Sequence, residues 1–137
     1  MHRRTFFTLT LAASAAPLAA LAAPATYTEG LVKKHLAKGD TVFLDFKADW
    51  CSTCRAQEKA INALLKANPA YEKNVVFINV DWDQHGKGEL SRSLNIPRRS
   101  TLVVLKGDKE LGRIVAGTKK SDIENLMDTA LAAATGN

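Results

Sequence analysis

Cys51 and Cys54 are the only cysteines in the 137-residue sequence, and two residues separate them. A pair at that spacing can close and reopen a short disulfide, so the chemistry it suggests is thiol–disulfide exchange. The residues before it, Thr41 to Ala48, are rich in β-branched and aromatic types and predict a strand. The residues after it predict a helix, with Ala56, Ala60, Ile61, Leu64 and Leu65 on one stripe. The pair thus falls where a helix begins. Unpaired N–H groups and the positive end of the helix dipole collect there. A thiolate in that place is stabilised, and its pKa falls below the roughly 8.5 of a free thiol.

Two plainer uses of the pair compete. Structural zinc needs four ligands, and only His2, His35 and His85 could join the two cysteines. A purely structural disulfide across so short a loop constrains the unfolded chain little. Asp45 adds a second chemical group. A carboxylate inside an apolar strand is costly unless paired or neutralised. With a raised pKa it could exchange protons with the thiols. A salt bridge to Lys47 is the structural alternative.

Stepping outward, residues 1–22 have the pattern of an export signal. Arg3 and Arg4 precede an apolar Ala/Leu run, and Ala20-Leu21-Ala22 fits the small-residue cleavage rule. The twin arginines resemble a twin-arginine leader, with ordinary Sec export as the alternative. The expected compartment is the periplasm, an oxidising one. Removing the leader lowers the net charge from +5 to +3. That balance, with no basic block carrying interleaved aromatics, argues against a nucleic-acid partner. At 46% apolar and 24% charged, residues 23–137 make one domain, expected to act as a monomer.

Along that domain, Ala23 to Thr28 reads as a flexible lead and Tyr27 to Leu36 as a helix. His35 is expected on its solvated side. The cysteine helix runs to about Asn68, before Pro69, with Gln57, Glu58 and Lys59 on its polar face. Val75 to Val80 reads as a strand, Asp81 to Gly88 as a loop, and Glu89 to Leu94 as a short helix. Trp82 is expected to anchor that loop. Thr101 to Lys106 and Glu110 to Ala116 form a hairpin about Gly107-Asp108. Thr118 is placed to cap a last helix with Ile123, Leu126, Met127 and Ala130 inside. The order implies an α/β domain, a mixed sheet with helices on both faces.

The chain resembles the thioredoxin-fold family. Ala48-Asp49-Trp50-Cys51-x-x-Cys54 matches its active-site signature, Asp45 its buried acid, and Gly117 the glycine before the last helix. Phe46 to Cys51, with Glu58, is especially similar to the C-terminal periplasmic domain of the DsbD electron-transfer protein. The middle dipeptide, Ser52-Thr53, departs from the Gly-Pro of thioredoxin. The family also carries a cis-proline facing the pair. Here Ser100 takes that place in the natural alignment, and Pro97 takes it only with a three-residue insertion. A non-proline cis bond costs roughly 2.5–4 kcal/mol, which favours a trans Arg99–Ser100 bond.

The resemblance implies an exported thiol–disulfide oxidoreductase that needs no cofactor. Cys51, exposed, would attack; Cys54 would resolve; Asp45 would take the proton from Cys54. Trp50, Arg99 and Ser100 would form the docking face, with Arg99 favouring acidic partners. Implied partners are periplasmic proteins with disulfides or dithiols and a membrane thiol-electron transporter. A reductase is the preferred direction. A dithiol oxidase and a metal or iron–sulfur module are the alternatives.

Overall fold

The computed structural model describes residues 24–136. The expected signal at residues 1–22 lies outside the described residues. A five-stranded sheet holds β1 (Ala25–Thr26), β2 (Thr41–Lys47), β3 (Val75–Asp81), β4 (Thr101–Lys106) and β5 (Lys109–Val115) in the order β1-β3-β2-β4-β5. β1 and β2 both run parallel to β3, while β4 is antiparallel to β2 and β5 to β4. The helices are α1 (Leu31–Ala37), α2 (Ser52–Ala67), α3 (Ala70–Asn74), α4 (Trp82–His85), α5 (Glu89–Ser93) and α6 (Lys120–Thr135).

β2 is central and buried on both faces, so its side chains alternate between two cores. Phe43 joins Ile61 and Leu64 of α2, Leu102 of β4 and Met127 of α6. Val42, Leu44 and Phe46 join Val32 of α1, Ile78 of β3 and Ile96. Helices therefore cover both faces of a mixed sheet, and this is the thioredoxin fold. Asn68 takes the extended backbone that Pro69 imposes, with φ −136° and ψ 97°, and there α2 ends. Gly107 turns the β4–β5 hairpin at φ 60°.

Several elements differ from the sequence reading. The lead is not free: Ala25 and Thr26 pair with Ile78 and Asn79, adding an edge strand too short to show a pattern. The loop after Asp81 is partly helical, because the Asp81 carboxylate accepts the Asp83 N–H at 3.0 Å and caps α4. Lys119, not Thr118, occupies the cap position of α6, and no side chain caps it. His35 is half-buried and bonds Asp40 at 2.8 Å, since the turn at Gly39 folds Asp40 back beneath it.

Candidate active site

Cys51 is the N-cap residue of α2, with extended backbone at φ −88° and ψ 112°. The chain leaves β2, turns through Asp49 and Trp50, and closes with Cys51 N–H donating to Ala48 O at 3.1 Å. The cap acceptor is the sulfur itself: Cys54 N–H donates to Cys51 Sγ at 3.2 Å. A backbone donor at a helix start thus points at the atom that would carry the negative charge. Cys51 and Cys54 are joined as a disulfide, with Cα atoms 5.2 Å apart.

Both cysteines are buried, at 2% and 1% exposure. The expectation that Cys51 lies exposed is therefore corrected. Ala48 and Trp82 pack against the pair, and the Ser100 hydroxyl sits on both sulfurs. Trp82, steadied edge-on against Phe46 at 6.5 Å, is the aromatic ring that touches the pair. Trp50 points outward and is 56% exposed. Its indole N–H reaches Asp83 at 3.0 and 2.9 Å. The Arg99 guanidinium lies 4.4 Å from the centre of the Trp50 ring. Trp50 and Asp83, both exposed, and the half-buried Arg99 form one cluster beside the buried pair.

Ser100, not Pro97, faces the cysteines; Pro97 is exposed. No peptide bond among the described residues is cis, so Arg99–Ser100 is trans. Ser100 instead takes φ 63°, a left-handed conformation that costs an ordinary residue about 1 kcal/mol or more. Three hydrogen bonds hold it. Its N–H donates to Phe46 O at 2.7 Å, and its carbonyl accepts from Ala116 N–H at 2.8 Å and from Gln57 Nε2 at 3.0 Å. Its hydroxyl oxygen lies 3.1 Å from Cys51 Sγ and 3.1 Å from Cys54 Sγ.

Asp45 lies on the face of β2 that α2 covers, the face of Phe43. It is 5% exposed, and Oδ1 has no hydrogen-bond partner in the protein. Burial pushes its carboxyl up to about 7; Lys47 opposes the rise and Glu58 adds to it. The salt bridge expected as the alternative, Asp45 to Lys47, does not form. Lys47 Nζ instead pairs with Glu58 at 3.0 Å, which also moves Glu58 off the purely solvated face expected for it. Arg55 donates to Asp49 O at 3.0 Å and ties down the turn before the pair.

Residues 23–129 match the thioredoxin family model. The chain belongs to the thioredoxin family. Thioredoxin H2-1 of Oryza sativa subsp. japonica is 32% identical over 88 residues, covering 64% of this chain and 59% of that protein. An H-type thioredoxin of Picea mariana is 31% identical over 111 residues, covering 79% and 83% of the two chains. The crystal structure of Trxlp from Edwardsiella tarda superposes with a TM-score of 0.66 at 25% identity, covering 76% of this chain and 98% of that one. The chain spans 56–59% of the length of the first three curated relatives that it matches. Thioredoxins are thiol–disulfide oxidoreductases, and this chain carries their cysteine pair.

The relatives correct one expectation. Four of them, from rice, Arabidopsis thaliana and tobacco, are by name plant H-type thioredoxins, so the periplasmic localisation is withdrawn. Among the described residues, no three His, Cys, Asp or Glu side chains come together as a metal site. His35 is engaged by Asp40, and His85 stacks edge-on with Tyr27 at 4.8 Å.

Two site residues escaped the sequence reading. Gln57 is fully buried, not on the polar face of α2, and its amide donates to Ser100 O and Gly117 O. Its position one turn before Ile61 and two before Leu64 carried the signal. Asp83 sits in the stretch read as a loop, and nothing local marks it as the partner of Trp50, 33 residues away.

Proposed function

We propose that the protein is a protein-disulfide reductase working through Cys51 and Cys54. The observation that carries this reading is the Cys51 sulfur as N-cap acceptor of α2, bonded by Cys54 N–H at 3.2 Å. In the reduced protein the Cys51 thiolate attacks one sulfur of a substrate disulfide. A mixed disulfide forms and the first substrate thiolate leaves. Cys54 gives its proton through water to Asp45. The Cys54 thiolate then attacks Cys51 Sγ, and the second substrate thiolate leaves. Two electrons pass to the substrate. Its two thiolates take up one proton from Asp45 and one from solvent, and the enzyme ends as the disulfide.

Asp45 suits the proton step because a carboxyl near 7 both accepts and releases protons at neutral pH. Trp50 and Arg99 form the docking face, with Ser100 between that face and the sulfurs. The donor is a dithiol protein, among which a membrane thiol-electron transporter is the class implied by the likeness to the DsbD domain. That likeness also supports the reducing direction. Dithiol oxidation is the same reaction reversed, and the equilibrium potential decides between them.

The test is turnover of a disulfide-bonded protein with dithiothreitol as donor, beside Cys54→Ser. The wild type should reduce it catalytically. Cys54→Ser should stop at a covalent complex through Cys51. No turnover and no trapped complex would reject the reading.

A further inference from the structure

The Ser100 side chain stands where one hydroxyl can serve two anions. Its oxygen is equidistant from Cys51 Sγ and Cys54 Sγ, at 3.1 Å each, and it is fully buried. Rotation about the Cβ–Oγ bond alone redirects the proton from one sulfur to the other. A disulfide sulfur is a weak, neutral acceptor, whereas a thiolate is a charged one that draws a shorter and stronger bond.

We propose that Ser100 is a catalytic residue of the exchange reaction, its hydroxyl donating a hydrogen bond to whichever cysteine sulfur is anionic, and that Gln57 is the positioning residue that holds it there. This rests on the reductase reading. In the reduced protein the hydroxyl donates to the Cys51 thiolate, beside the N–H of Cys54. Once Cys51 is tied up in the mixed disulfide, it holds no charge. The hydroxyl then turns to Cys54 and stabilises the thiolate that forms as its proton leaves. Ser100 keeps its own proton throughout and makes no covalent bond, so the balance of the reaction is unchanged.

The architecture around Ser100 supports a held position. Left-handed backbone at a non-glycine residue persists only where its surroundings fix it. Gln57 does this from inside α2, three residues after Cys54: one amide group donates to Ser100 O at 3.0 Å and to Gly117 O at 2.9 Å. The helix that carries both cysteines therefore also carries the clamp on the turn facing them. A buried glutamine is an expensive choice for a core position that leucine would fill, and its Oε1 has no partner in the protein. The hydrogen bonds it makes to that turn are what the position gains in exchange.

The experiment is the pH dependence of Cys51 alkylation in the fully reduced protein, read by peptide mass spectrometry, in wild type, Ser100→Ala, Ser100→Gly and Gln57→Leu. Loss of the hydroxyl should raise the Cys51 ionisation midpoint by about one pH unit, a tenfold loss of thiolate at low pH. The equilibrium with glutathione should move toward the disulfide by a similar factor. Glycine accepts φ 63° without strain, so Ser100→Gly guards against misfolding. Alanine and glycine should agree, because the effect belongs to the hydroxyl and not to the backbone. Gln57→Leu should raise the midpoint by less, and should add nothing once Ser100 is glycine.

Midpoints in both Ser100 variants equal to that of the wild type would overturn the proposal. A Gln57→Leu shift that persists in the Ser100→Gly background would overturn the role given to Gln57. Either result in a wild type that still turns over protein disulfides leaves the reductase reading standing. A wild type that does not turn over rejects that reading instead.

Discussion

The indole nitrogen of Trp50 donates to both carboxylate oxygens of Asp83, at 3.0 and 2.9 Å, and so ties the residue before Cys51 to the residue after Trp82. One ring touches the sulfurs and the other faces solvent, and a single side chain holds them in register. Asp83→Ala should leave stability within about 1 kcal/mol, because the bond is exposed and its net worth is small. The KM for a protein disulfide should rise several-fold as the outer ring loses its fixed pose. Steady-state kinetics beside a small disulfide checks this, since the small substrate needs no docking face.

Asp45 sets a pH dependence of stability. Its carboxyl ionises near 7 in the folded chain, against a reference of 3.8, so the folded state holds the proton more tightly. The contribution is fully present below the reference value and is lost as pH rises through about 7. Asp45→Asn should remove that loss and stabilise the protein at pH 8 on the order of 2–4 kcal/mol. It should also slow release of the second substrate thiolate. Urea unfolding across pH 4 to 8, with single-turnover kinetics, tests both effects.

Arg99 stacks on Trp50 and presents a cation at the proposed docking face. Arg99→Ala should weaken binding of a disulfide peptide with acidic flanks by roughly threefold to tenfold at low salt, and the difference should shrink as salt screens it. A peptide with basic flanks should bind Arg99→Ala no worse than the wild type. Titration of the two peptides at two ionic strengths gives the answer.

Proline at Ser100 should fail in this backbone. Its ring fixes φ near −65°, whereas Ser100 holds 63°, and the Ser100 N–H that bonds Phe46 O would be gone. Ser100→Pro should therefore cost about 3 kcal/mol or more, measured by thermal or denaturant unfolding. Ser100→Gly should be neutral or stabilising in the same assay.

The fold was legible where pattern and period are strong. β2, β3 and the β4–β5 hairpin announce themselves through apolar runs and the Gly107-Asp108 turn, and the α6 stripe through Ile123, Leu126, Met127 and Ala130. β1 was not, because its two residues owe their strand geometry to pairing with Ile78 and Asn79. On α2 the inward line runs Cys54, Gln57, Ile61, Leu64, while Ala56 is exposed. Residue polarity alone put Ala56 inside and Gln57 outside. Helical phase, counted back from Ile61, reverses them. The cysteine pair was legible through its spacing, and the buried carboxyl of Asp45 through its incongruity in an apolar strand. The burial of the pair, the Trp50–Asp83 bond and the Gln57 clamp depend on contacts between distant segments, which no local pattern records.

The most direct test of the whole account is the reduction potential of the Cys51/Cys54 couple, measured by equilibration with glutathione and separation of the two redox forms. A reductase predicts a value more negative than about −200 mV, on the thioredoxin side of the known couples. A value less negative than about −200 mV, toward the strong oxidants, would contradict it.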